Sequence, residues 1–277
     1  GVNVIANSKD APMYVCQQWI DEVLIVVPDD KPYPEELIKK LKETGVTMHL
    51  RLSKIAAVED RPQFVEKIGS YTVLTTSLNY ASPKQLLFKR VMDIAGGLVG
   101  CLLTVIIFIF VAPVIYISSP GPIFFSQERI GKNGKKFKIY KFRSMRLDAE
   151  KFGPALYKGG ADPRMTRVGK FLRVHHLDEL PQLWNVFVGD MSFIGPRPER
   201  KFYIDQIMER DPRYRYLYQI RPGVTSYATL YNGYTDTVDK MLRRLRYDLF
   251  YLEHRSWLFD FKILVKTFLN IAFGKKF

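Results

Sequence analysis

Apolar spacing divides the 277 residues into several elements. Residues 22–27 form an apolar-rich run, residues 34–44 read as a helix that stops at Gly45, and residues 46–52 alternate. Strand, helix and strand in that order predict a βαβ unit, and residues 71–78 supply a third strand. From Ile94 through Gln127 no residue is charged. The part covering 94–118, led in by the helix-start pair Ser82-Pro83, exceeds the about 20 residues needed to cross a bilayer, so it predicts a membrane helix. Residues 123–145 then alternate apolar and basic positions around Asn133-Gly134, the pattern of a basic β-hairpin. Further on, Val174, Leu177, Leu180, Trp184 and Phe187 recur every three or four residues, which predicts a helix with one face packed inward. Residues 257–277 are amphipathic, with Lys262, Lys266 and Asn270 opposite Trp257, Phe261, Leu264 and Phe268. That pattern suits a membrane interface or a core-packed terminal helix.

Charge narrows the partners. Forty-two Lys and Arg against 28 Asp and Glu leave a formal +14, which calls for nucleic acid, anionic lipid or a phosphorylated substrate. Base-reading motifs are absent, so nucleic acid is not expected. Cys16 and Cys101, far apart, predict neither a disulfide framework nor a cysteine zinc site and fit a reducing compartment. Adjacent His175 and His176 point apart, against a histidine zinc site. The early α/β segment lacks GxGxxG, which favours a regulatory or assembly role over dinucleotide binding. The chain opens at Gly1 on a strand-like run without a signal-peptide pattern, as an N-terminally incomplete chain would.

The flanks of the apolar segment are both basic: Lys84, Lys89 and Arg90 before it, Arg129, Lys132, Lys135, Lys136, Lys138, Lys141 and Arg143 after it. Both ends therefore prefer the cytoplasm, which favours a helix that enters one leaflet and returns over a true span. Pro113, or Gly96, Gly97 and Gly100, could supply the break.

The chemistry concentrates in residues 173–200, RVHHLDELPQLWNVFVGDMSFIGPRPER. Pro181 is tolerated only in a first turn, which puts Asp178 and Glu179 at a helix N-terminus, where carboxylates stay ionised and phosphate is welcome. An acidic pair there is also an ordinary cap. Arg164, Arg167, Lys170 and Arg173 recur every three residues on the approach, so one basic helix side is expected to face phosphate.

Taken together, KRxxD at residues 89–93, the apolar helix, SPGPIFFSQERIG, FKIYKFRSM, the 28-residue stretch above and IRPGVTS resemble the bacterial sugar transferase family, the monotopic phosphoglycosyl transferases. The likeness covers about residues 86–277. Residues 1–80 resemble the latter part of the Rossmann-like domain of the larger members. The resemblance implies an α/β protein: a partial Rossmann-like βαβ domain (1–80), an amphipathic lead-in and re-entrant membrane helix (81–118), and a membrane-associated catalytic domain (119–277). It further implies that a UDP-sugar gives its sugar 1-phosphate to the enzyme, UMP leaves, and undecaprenyl (polyprenyl) phosphate takes the group. This would be the first membrane step of capsule, exopolysaccharide or O-antigen assembly, on the cytoplasmic face of the bacterial inner membrane. Asp178 matches the family nucleophile. Glu179 matches the adjacent acid that works with Mg2+, and Arg173 and Arg197 match arginines around the phosphates; Lys141, Arg143, Arg200 and Arg221 complete the implied substrate-binding set. A homodimer is compatible with a regulatory domain. Two positions depart from the family: Val105-Ile106 replace a helix-breaking Ser-Pro pair, and RPGVTSYATL at 221–230 replaces RPGITGWAQV.

Two other readings use the same residues. A non-enzymatic basic scaffold on membrane lipids would need Asp178 and Glu179 only as caps. A magnesium-dependent lipid-phosphate phosphohydrolase would use the acidic pair with water as acceptor.

Overall fold

The computed structural model describes residues 7–18, 20–28, 31–51, 63–69, 71–76, 83–151, 162–233, 235 and 237–273. After α1 (Ala11–Gln17), the βαβ unit forms as β1 (Glu22–Ile25), α2 (Glu35–Thr44) and β2 (Thr47–Arg51). Gly45 ends α2 in the left-handed region, at φ 79°, a conformation that costs glycine nothing. β1 and β2 are parallel, but β2 continues antiparallel to β4 (Tyr71–Thr76), and β4 pairs antiparallel with β3 (Gln63–Ile68). The sheet, in order β1-β2-β4-β3, is therefore mixed. Its core gathers Val15, Ile25, Ile38, Leu41, Met48 and Leu50. The expected strand at the very start and the Ser82 helix signal lie outside the described residues.

The apolar segment forms α3 (Pro83–Ser118), 36 residues or about 54 Å. Pro113 lies inside it without ending it. One face of α3 is covered along its length. Asp93 accepts from Ser192 Oγ and Phe193 N at 3.0 Å. A Cβ on Gly97 would sit 3.0 Å from the Phe187 backbone, and one on Gly100 2.4 Å from Leu183, so these glycines let α3 and a later helix approach closely. Thr104 donates to Leu180 O, and Phe108, Val111 and Ile115 pack on Phe142 and Leu172. The stripe Asp93, Gly97, Gly100, Thr104, Phe108, Val111, Ile115 keeps helical spacing over about 33 Å. Both ends are tied down. Lys89 pairs with Asp260 at 2.6 Å, Arg90 donates to the carbonyls of Val186 and Phe187, and at the far end Arg143 donates to Ser119 O. The other face of α3, with Leu98, Leu102, Val105, Ile109 and Phe110, is exposed.

The basic hairpin forms as β5 (Phe124–Ile130) and β6 (Lys136–Phe142), paired from Phe124↔Phe142 to Ile130↔Lys136. Asn133 takes the left-handed conformation at its tip. Along β6, Phe137, Ile139 and Phe142 are buried while Lys136 and Lys138 face out. Tip residue Lys132 pairs with Asp21, and Arg215 with Glu43 at 3.1 Å, joining the first sheet to the rest. α4 (Arg167–Val174) follows, capped by Thr166. Then come α5 (Gln182–Val188), β7 (Ser192–Ile194), α6 (Lys201–Arg210), β8 (Gly223–Thr225), α7 (Tyr227–Asn232), α8 (Val238–His254) and α9 (Trp257–Ala272). In α9 the aromatics Trp257, Phe261 and Phe268 are exposed, and Ile263 is the only deeply buried position among its described residues.

Candidate active site

Local backbone, rather than a helix end, presents the acidic pair. After α4, His176 adopts φ 55°, and Leu177–Glu179 forms a single 3-10 turn; α5 begins only at Gln182, with Pro181 as its cap. The sequence expectation of one helix with Pro181 in its first turn and the acids at its N-terminus is corrected accordingly. The left-handed residue and the proline break the run into three pieces. For the same reason the periodic apolar set does not share an inward face: Val174 is 66% and Trp184 51% exposed, while α5 turns Gln182, Asn185 and Val186 inward. Arg164 lies before α4, chelated by Asp162 at 2.6 and 2.9 Å, so the basic stripe is shorter than its spacing suggested.

Five of the predicted residues converge. Asp178 is 3% exposed, and Arg173 Nε lies 3.7 Å from it while donating to Ser144 Oγ at 3.0 Å. Glu179 Oε1 receives both Lys141 Nζ, at 2.5 Å from β6, and Arg197, at 3.2 Å from the loop after β7. The three remaining predicted residues are engaged elsewhere. Arg143 binds the Ser119 and Pro120 carbonyls of the SPGP turn, Arg200 pairs with Glu150 at 2.8 Å, and Arg221 donates to Gly189 O. Ser144, in the FKIYKFRSM segment, is a site neighbour that the sequence alone does not mark. A short hydroxyl residue in a strand-to-loop junction carries no mark of the arginine it will meet.

Electrostatics separate the two acids. Burial pushes the Asp178 carboxyl above the ordinary aspartate range, against the pull of Lys141 and Arg173. Burial also works against ionisation of Glu179, but Lys141 and Arg197 outweigh it and hold that carboxyl well below its usual value. Arg197 is in turn held protonated chiefly by Glu179. The turn thus offers a desolvated carboxylate beside a fixed anion, with three cations facing it. That array can hold phosphate oxygens and let a carboxylate approach phosphorus. Both cations meet the same oxygen of Glu179, so its second oxygen is the one that would take a divalent cation. Among the described residues no cluster of three or more His, Cys, Asp or Glu exists. Magnesium, which completes its shell with water and substrate phosphate around one or two carboxylates, fits such a donor set.

Behind the site, Glu199 is buried between Arg244, which donates to it, and Arg129 at 3.4 Å. Asp248 lies 4.0 Å from Arg244, and its buried Oδ1 has no hydrogen-bond partner among the described residues. Burial raises its pKa to about 7. A carboxyl raised in the folded state stabilises fully below its unfolded pKa and loses that contribution as pH climbs through the folded value. Asp248→Asn is therefore expected to melt above wild type at pH 8, by about 3 °C or more. The advantage should fade towards pH 4; equal melting curves at pH 8 would contradict this assignment.

A family model described as bacterial sugar transferase matches residues 84–274. The UDP-N-acetylgalactosamine-undecaprenyl-phosphate N-acetylgalactosaminephosphotransferase of Aeromonas hydrophila is 39% identical over 193 residues, 70% of this chain and 45% of its own. The UDP-glucose:undecaprenyl-phosphate glucose-1-phosphate transferase of Escherichia coli is 39% identical over 183 residues, 65% of this chain and 39% of its own. The exopolysaccharide production protein PSS of Rhizobium leguminosarum is 38% identical over 202 residues, 69% of this chain and 99% of its own. The chain thus spans about half the length of the larger relatives, whereas the shared part is nearly all of the Rhizobium protein. With that match covering most of its length, this chain belongs to the bacterial sugar transferase family.

Proposed function

We propose that this protein transfers a sugar 1-phosphate from a UDP-sugar to undecaprenyl phosphate through a covalent aspartyl intermediate. The observation that carries the reading is the Asp178-Glu179 turn, with Lys141, Arg173 and Arg197 gathered on it. Names of relatives supply the substrate classes: a UDP-sugar and undecaprenyl phosphate. Those names differ in the sugar, so the donor is to be found by assay.

In the first step an Asp178 oxygen attacks the phosphorus that bears the sugar. The new O–P bond forms as the bridging P–O bond breaks, and UMP departs with the bridging oxygen. In the second step an oxygen of undecaprenyl phosphate attacks the same phosphorus, the carboxylate leaves, and a sugar diphosphate lipid forms. Arg173, Arg197 and Lys141 hold phosphate oxygens and offset the repulsion between the carboxylate and the diphosphate. Glu179 stays ionised throughout and keeps Lys141 and Arg197 in place. Mg2+, held at Glu179, would add a Lewis acid that spreads the diphosphate charge.

In this reading α3, a single continuous helix, lies along one leaflet of the inner membrane rather than entering and returning, with both ends at the cytoplasmic surface. Supporting it, one face of α3 is packed against the catalytic fold for about 33 Å, more than a hydrocarbon core is thick, and both ends are tied to that fold. The exposed aromatics of α9 would lie at the same interface. Residues 1–80, read as part of a Rossmann-like domain, brace the hairpin tip and offer a surface for a homodimer. With Cys16 and Cys101 replaced by serine, Lys84→Cys and Lys136→Cys should both resist an impermeant maleimide in intact cells. Labelling of only one would establish a span.

The functional test is product release from a panel of UDP-sugars in detergent with Mg2+. UMP should appear from one donor, and sustained turnover should require undecaprenyl phosphate. Inorganic phosphate from lipid phosphate without UMP would favour the phosphohydrolase, and no turnover by folded protein would favour the scaffold.

A further inference from the structure

Three separate segments deliver the groups that meet at Glu179: β6 brings Lys141, the 3-10 turn brings Glu179 itself, and the loop after β7 brings Arg197. One buried side chain bonds the main chain next to Lys141. Asn185, on α5, is 0% exposed. Its Oδ1 accepts from Tyr140 N at 3.3 Å and its Nδ2 donates to Lys138 O at 2.8 Å. These are main-chain groups of β6 immediately before Lys141. β6 pairs with a strand, β5, on one side. The amide of Asn185 serves its other side as a neighbouring strand would, giving a donor to a carbonyl and an acceptor to an N–H. Meanwhile the Asn185 carbonyl accepts from Gly189 N at 3.1 Å and Met191 N at 3.0 Å, which closes α5 and sets the exit into β7. α5 itself begins three residues after Glu179.

We infer that Asn185 is a positioning residue for phosphate transfer: its buried amide holds β6 against α5 and so fixes Lys141, and with it Glu179 and Arg197, where substrate phosphates must sit. The inference rests on the phosphotransfer reading above. Asparagine alone among residues of this size offers both a donor and an acceptor in one plane. Aspartate would set a carboxylate against the Lys138 carbonyl, and leucine, similar in shape, would leave both β6 groups buried and unpaired.

The test compares Asn185→Leu with Leu245→Ala, a buried change in the cluster of Ile204 and Ile207 away from the carboxylate turn. In Asn185→Leu the Tyr140 amide should exchange hydrogen at least about tenfold faster, while in Leu245→Ala the rise should be no more than global destabilisation explains. With the UDP-sugar that wild type uses, kcat per folded molecule should fall about tenfold or more in Asn185→Leu. KM for that donor should stay within about twofold, because Arg173, held by Ser144, is untouched; Leu245→Ala should keep wild-type kcat per folded molecule. Unchanged Tyr140 exchange overturns the inference, as does faster exchange with wild-type kcat, or an equal kcat loss in Leu245→Ala. Absence of UMP from wild type would instead sink the phosphotransfer reading, and the exchange comparison, which needs no activity, would still decide whether Asn185 holds β6.

Discussion

Asp178→Asn is expected to lower UMP formation by about four orders of magnitude or more, the scale seen when a covalent nucleophile is removed. An amide oxygen cannot carry the negative charge that drives attack on phosphorus, nor leave as a carboxylate in the second step. Stability should move the other way. Burial disfavours the Asp178 charge in the folded state, so the neutral amide removes a cost that wild type bears at neutral pH. Asp178→Asn should therefore melt no lower than wild type at pH 8 while being inactive. That combination separates a nucleophile from a structural cap, whose loss lowers melting temperature and activity together. A variant that retains turnover contradicts the assignment.

The second large effect is on folding. Glu199→Gln leaves Arg129 and Arg244 facing a neutral amide in a buried setting, a loss of about 3–5 kcal/mol for a broken internal ion pair. For a chain of this size that is a fall of about 10 °C in melting temperature. Because Ile130 N also bonds Glu199 O, β5 is held to this loop through the backbone even in the variant, so the loss should appear as lower stability rather than an altered fold. A shift under 2 °C would mean that water or another group already compensates the arginines.

Local signals carry several of the elements. The Asn133-Gly134 turn with alternating neighbours specified the hairpin, and Gly45 ended α2 where a glycine cap should. The acidic pair stands between Arg173 and Arg197 in the sequence, and the structure brings both arginines to it. Tertiary choices were harder. His176 enters the left-handed region with nothing in its type to announce it, so three pieces read as one helix. Lys141 and Arg143 are two apart and alternate to the same side of an ideal strand, yet β6 ends at Phe142 and Arg143 turns to the SPGP carbonyls. Only the fold separates a site cation from a structural one. The parallel β1-β2 pair was legible from its helix crossover, whereas the antiparallel join to β4 depends on contacts far along the chain. Asn185 and Glu199 matter because of backbone and arginine partners that spacing cannot reveal.

The most direct test of the central claim is to look for the intermediate itself. Protein incubated with Mg2+ and a UDP-sugar labelled in the sugar-bearing phosphate, but with no lipid acceptor, should retain label in up to one equivalent and release matching UMP. Undecaprenyl phosphate should then discharge the label into lipid, and Asp178→Asn should take up none. Label on Asp178→Asn, or UMP formed by wild type only when both substrates are present and without any labelled protein, would contradict a covalent aspartyl step.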